Sequence, residues 1–67
     1  MPDTPDFAAR LRALRARAGL SQSQLAARAG MRPSALSRLE RSDRSPTWET
    51  VQRLAAALGC TTDALRA

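Results

Sequence analysis

The sequence contains no histidine, no lysine and no tyrosine, and only one cysteine, one phenylalanine and one tryptophan. Without histidine, the commonest acid–base catalyst and metal ligand is missing. No paired carboxylates, Cys/His nucleophile set or glycine-rich phosphate loop takes its place. An enzyme is therefore not expected, and neither a metal site nor a cofactor is implied. Cys60 stands alone, which leaves no intramolecular disulfide or multi-cysteine metal centre and fits a reducing compartment. No apolar run approaches the roughly 20 residues that a membrane span needs. The start, Pro2 to Asp6, is acidic and proline-rich, unlike a signal peptide. A soluble, cytoplasmic protein is the expectation. Alternating β-branched runs are lacking too, so a sheet has little support.

What is present is a set of good helix formers, Ala, Leu, Arg and Gln, in 67 residues. A chain of this size buries only about 60% of its unfolded surface, enough for one core and too little for a deep substrate chamber. The reading is all-α: a flexible tail over residues 1–5 and a single helical domain over 6–67. Eleven arginines against six acids give a net charge of +5. Placement says more than the total, because Arg28, Arg32, Arg38, Arg41 and Arg44 crowd into one part of the chain.

That part is organised around Ser21 to Glu40, SQSQLAARAGMRPSALSRLE. Ser21 followed three residues later by Gln24 is a capping-box signature for a helix over about Gln22–Arg28. Ala29-Gly30-Met31 makes a corner, and Gly30 is the residue there that enters left-handed backbone without a Cβ penalty. Pro33 suits the first turn of a second helix, about Pro33–Arg41, because its missing N–H would be unpaired there anyway. Helical spacing turns Leu36 and Leu39 inward and leaves Ser34, Ser37, Arg38 and Arg41 outside. Two short helices around a glycine corner, the second with a polar face bearing arginine, form a helix-turn-helix over about residues 21–41.

GLSQSQLAARAGMRPSALSRLER, with LRALRARAGL before it and SPTWETVQRLAAALG after it, resembles the DNA-binding domain of phage repressor/Cro-type proteins, the XRE family. The resemblance covers roughly residues 7 to 65. It implies a compact five-helix bundle of the lambda-repressor-like type and a sequence-specific transcriptional regulator, in most members a repressor, of double-stranded DNA. By the same resemblance the regulator binds as a homodimer on a near-palindromic operator, in a bacterial or phage setting. Base contacts would fall on Arg32, Pro33, Ser34, Ser37 and Arg38, and phosphate contacts on Ser21, Gln22, Arg28, Arg41 and Arg44. The family's arginine–glutamate pair maps onto Arg15 and Glu40, tying the first helix to the end of the third. Three positions depart from the family pattern. Arg32 stands where a Ser or Thr cap is usual, Pro33 replaces a hydrogen-bonding side chain, and Ser42 stands where Gly is common. Base reading then rests mainly on Arg38, whose planar fork matches the O6 and N7 of guanine. A phosphate contact is the other role open to it.

The flanking segments read as core. Thr4 and Pro5 start a first helix, in which Phe7, Leu11, Leu14 and Ala18 define one buried stripe that ends at Gly19. Thr47 caps a fourth helix with Trp48, Val51, Leu54, Ala55 and Leu58 on its buried face and Gly59 at its end. Trp48 reads as core or partial core, with a second reading as a partner-binding hot spot. Cys60 reads as a small buried hydrophobe. A last short helix, Asp63 to Arg66, follows a Thr61 or Thr62 cap and closes the core with Leu65. Asp43 is set to repel phosphates or to pair with a neighbouring arginine. The alternative function is a protein-interaction module, such as the antitoxin of a toxin–antitoxin pair or an RNA polymerase adaptor. An exposed apolar patch would favour it.

Overall fold

The computed structural model describes residues 5–43 and 45–66. Within them the chain forms α1 (Pro5–Arg17), α2 (Gln22–Ala29), α3 (Pro33–Glu40), α4 (Trp48–Leu58) and α5 (Thr62–Arg66). Residues 1–4 of the expected tail, with the Thr4 cap, and Arg44 lie outside the described residues, while Pro5, placed in the tail, is the first residue of α1.

Each helix supplies one leucine that is fully buried: Leu11, Leu25, Leu36, Leu54 and Leu65. These five meet in a single core with Ala26, Ala29, Leu39, Val51 and Ala55. The small alanines let α2 lie against both α3 and α4, while α1 packs on α3 and α5. A short α5 has little propensity of its own to be helical. Leu65 inserted into the core, and Thr61 Oγ1 accepting from the Ala64 N–H at 3.3 Å, hold it in place.

Local signals set most helix ends. Ser21 and Gln24 form the full capping box, with the Gln24 N–H donating to Ser21 Oγ at 3.0 Å and the Ser21 N–H to Gln24 Oε1 at 2.8 Å. Gly30, at φ 70°, lets the Met31 N–H turn back to the Ala26 carbonyl at 2.9 Å, which closes α2 and swings the chain into α3. Thr47 Oγ1 accepts from the Thr50 N–H at 3.1 Å and starts α4.

Several expectations need correction. Ala18 is exposed, because α1 ends at Arg17 and the helical period no longer applies in the turn that follows. The buried stripe of α1 is Ala8 and Leu11, flanked by half-buried Phe7 and Leu14. Trp48 is 51% exposed. It is in register with Val51, but it is the first residue of α4, at an end of the bundle where Phe7, Pro46 and Val51 leave an open apolar groove. Leu58 and Cys60 are half-buried at the edge of the core.

The turn after α3 keeps a left-handed residue although no glycine is there. Ser42 has φ 62°, and the Asp43 N–H closes back on the Arg38 carbonyl at 2.9 Å. Left-handed backbone costs a residue with a Cβ about 1–2 kcal/mol, partly offset in a glycine by its larger loss of entropy on folding. Ser42→Gly should therefore raise stability by about 0.5–1 kcal/mol, a gain of a few degrees in melting temperature. A thermal melt in which the variant unfolds at or below the parent would show that the turn is unstrained.

Candidate nucleic-acid interface

The chain spends its burial on one side of α2 and α3 and leaves the other side polar. Leu25, Ala26, Ala29, Leu36 and Leu39 all point into the core. Arg28 at the end of α2, and Arg32, Pro33, Ser34, Arg38 and Arg41 along α3 and its two ends, are exposed, and Ser37 is half-buried beside them. Ser21 lies exposed and Gln22 half-buried at the opposite end of α2. Nine of the ten residues expected to contact DNA thus lie in or beside this one helix pair, and Arg44 is outside the described residues.

The start of α3 has an uncommon composition. Arg32 occupies the cap position but makes no capping hydrogen bond, Pro33 has no N–H to satisfy, and no acid sits in the first turn. The positive end of the helix dipole is left uncompensated next to a guanidinium, which makes this end attractive to an electron-rich surface. At the other end, Arg41 Nε donates to Asp43 Oδ2 at 3.0 Å, with both side chains largely in solvent. A surface pair of this kind contributes little to stability and exchanges readily for another partner.

The exposed face is held from behind by a part-buried polar cluster centred on Glu40, the last residue of α3, whose side chain is only 2% exposed. Arg15 of α1 grips it with both edges of its fork, Nε to Oε2 at 2.6 Å and Nη2 to Oε1 at 3.0 Å. The third arm of the same guanidinium, Nη1, donates to the Leu20 carbonyl at 3.0 Å. Gln22 Nε2 adds a further bond to Glu40 Oε1 at 2.9 Å, and Arg12 Nη1 donates to the Glu40 backbone carbonyl. The hydrogen bond from Arg15 to Glu40 raises the arginine pKa above its ordinary value, outweighing the effect of burial.

Gln22 and Arg12 are the members of this cluster that sequence reasoning does not place there. The family resemblance puts Gln22 at a helix start facing a phosphate and gives Arg12 no role. No local pattern links either to Glu40, 18 and 28 positions away. Among the described residues no group of three or more His, Cys, Asp or Glu could hold a metal. No described helix is long and apolar enough to cross a membrane.

A five-helix bundle whose second and third helices form a braced helix-turn-helix, with an arginine-bearing face turned outward, defines the repressor-type helix-turn-helix class. The chain belongs to the helix-turn-helix domain family, whose model matches residues 6–67. It is similar in structure to the restriction-modification controller protein C.AhdI from Aeromonas hydrophila, at 37% identity over 90% of this chain and 91% of that one, with a TM-score of 0.87. The DNA-binding domain of the P22 c2 repressor, solved in solution, is 32% identical over 98% of this chain and 86% of its own, with a TM-score of 0.89. The P22 c2 repressor bound to a synthetic operator is 34% identical over 88% of this chain and 89% of its own, with a TM-score of 0.81. A search of curated protein sequences finds no match.

Proposed function

We propose that this chain is a transcriptional regulator, a repressor, that binds double-stranded DNA by laying α3 in the major groove. The observation that carries this reading is the outward face of α3. Arg32, Pro33, Ser34, Ser37 and Arg38 sit on a helix held from behind by the Glu40 cluster, with Arg28 and Arg41 on its flanks. A relative 34% identical has been solved on an operator, which supports the same use of the fold here. Arg38 and Ser34 are the groups best suited to hydrogen-bond base edges, and Pro33 offers an apolar surface to a thymine methyl. Ser21 and the open amides at the positive start of α2, with Arg28, Arg41 and Arg44, would take the phosphates. Two copies related by a two-fold axis would read a near-palindromic operator with half-sites about one helical turn apart. The setting is the cytoplasm and the role non-enzymatic.

Anisotropy of labelled duplexes tests this, comparing a sequence selected from a random library with a scrambled one across a salt series. Three arginine–phosphate contacts from each of two protomers set a log–log slope of about −5.4, so raising salt from about 50 to about 100 mM weakens binding by about 40-fold. The selected duplex should remain well above the scrambled one throughout. The protein-interaction reading has one observation in its favour, the open groove at Trp48. Weak, equal binding to both duplexes, alongside a salt-insensitive protein complex, would decide for that reading.

A further inference from the structure

Two helices joined by a short turn are linked by the chain at one end only, and elsewhere α2 and α3 are held by apolar packing of Leu25, Ala26, Ala29, Leu36 and Leu39 in the shared core. In this chain the joined ends are the last residue of α2 and the first of α3, with Gly30 between them. The free ends are Gln22, the first residue of α2, and Glu40, the last residue of α3, and these are the two residues joined by the 2.9 Å bond from Nε2 to Oε1. The bond adds a directional polar tie to that packing, closing the open side of the helix pair and turning a V into a triangle. Arg15 holds the Glu40 carboxylate from behind, so the corner of that triangle is anchored to α1.

We infer that Gln22 is a positioning residue for base recognition. Its side-chain amide, held by Glu40, sets the angle between the α2 start that meets the DNA backbone and the α3 face that meets the bases. This rests on the DNA-reading function proposed above and gives the Gln22 side chain a role other than phosphate contact. The physical reason is lever length. α3 spans eight residues, about 12 Å at 1.5 Å per residue, so a small rotation about the Gly30 corner displaces its far end by an appreciable fraction of a hydrogen-bond length. A base-edge hydrogen bond tolerates little of that displacement. Contacts between flexible arginines and phosphates adapt to it. Loss of the tie should therefore be felt where the sequence is read, with general DNA affinity retained.

The test is Gln22→Met, which keeps side-chain length and removes the donor. Tight binding to the selected duplex should fall about tenfold, while binding to the scrambled duplex stays within about twofold and the salt slope is unchanged. The melting temperature should drop by only a few degrees. An equal loss on both duplexes makes Gln22 a phosphate ligand and overturns the inference, as does unchanged discrimination. A parent protein that itself fails to discriminate between the duplexes would instead remove the DNA-reading function on which the inference rests. A second measurement needs no DNA: in the folded parent protein one Gln22 side-chain amide proton should be shifted downfield and slowed in exchange. A pair of amide protons resembling those of free glutamine would show that the tie is not formed.

Discussion

Replacing Glu40 by alanine should lower the melting temperature by about 10–20 °C. The carboxylate is 2% exposed and receives three side-chain hydrogen bonds, two from Arg15 and one from Gln22. Its removal leaves an arginine fork facing a cavity with nothing to accept its protons. Breaking a buried ion pair by deleting one partner costs about 3–5 kcal/mol because the remaining charge is stranded. Arg15 retains 22% exposure and regains some water, which brings the expected loss to about 2–3 kcal/mol. A domain of this length has a total stability of about 3–10 kcal/mol, so this single change removes a large share of it. At about 4–8 °C per kcal/mol the shift is easily read in a thermal melt followed by circular dichroism. A melting temperature unchanged in Glu40→Ala would mean that the cluster orients helices without stabilising them. The pair is specific to its geometry: Arg15→Lys keeps the charge but loses the fork and should recover only part of the stability.

Arg38→Ala should weaken operator binding by about 1–3 kcal/mol per protomer, about 5- to 150-fold, and relax the preference for a single base pair, a G·C. Arg38 is exposed on the outward face of α3, so the folded state should lose little. Its guanidinium makes no hydrogen bond or ion pair with a described residue, which leaves all five donors for a partner. The informative companion is Arg38→Lys. A lysine keeps the positive charge and the salt dependence but not the bidentate match to O6 and N7. Discrimination at that base pair should fall while the slope with salt is preserved. If Arg38→Ala weakens the selected and scrambled duplexes by the same factor, Arg38 meets a phosphate and the base contact lies elsewhere on α3. Arg41 offers the contrast. It is paired with Asp43 in the absence of DNA, so part of what it gains from a phosphate is given up in leaving that partner.

The parts of the fold that could be read from the chain are those in which the partners are three or four residues apart. The Ser21–Gln24 box, the Thr47 cap, the Gly30 corner and Pro33 at the head of α3 are all local, and each has one low-energy solution. The buried leucines of each helix follow from helical spacing as well. Trp48 shows where that logic stops. Its spacing from Val51 and Ala55 is that of a core residue, but spacing specifies a face and says nothing of whether another element covers that face at the helix end. Ala18 fails for the converse reason, since the period was extended past the residue at which the helix stops.

The outward face of α3 was legible because a buried Leu36 and Leu39 dictate which side remains for Ser34, Arg38 and Arg41. The support beneath it was legible only in part. Arg15 and Glu40 could be paired through family resemblance, but Gln22 and Arg12 carry no sequence mark that distinguishes them from the other polar residues of α2 and α1. By itself, then, the sequence determined the helices, most of their ends and the polar, arginine-bearing face that α3 turns outward, because these rest on interactions within one turn of chain. Tertiary structure alone decided that the open ends of the helix pair are tied together and that about half of Trp48 is left uncovered. Both depend on which distant elements come to lie beside a residue, and that is settled only when all five helices share one core.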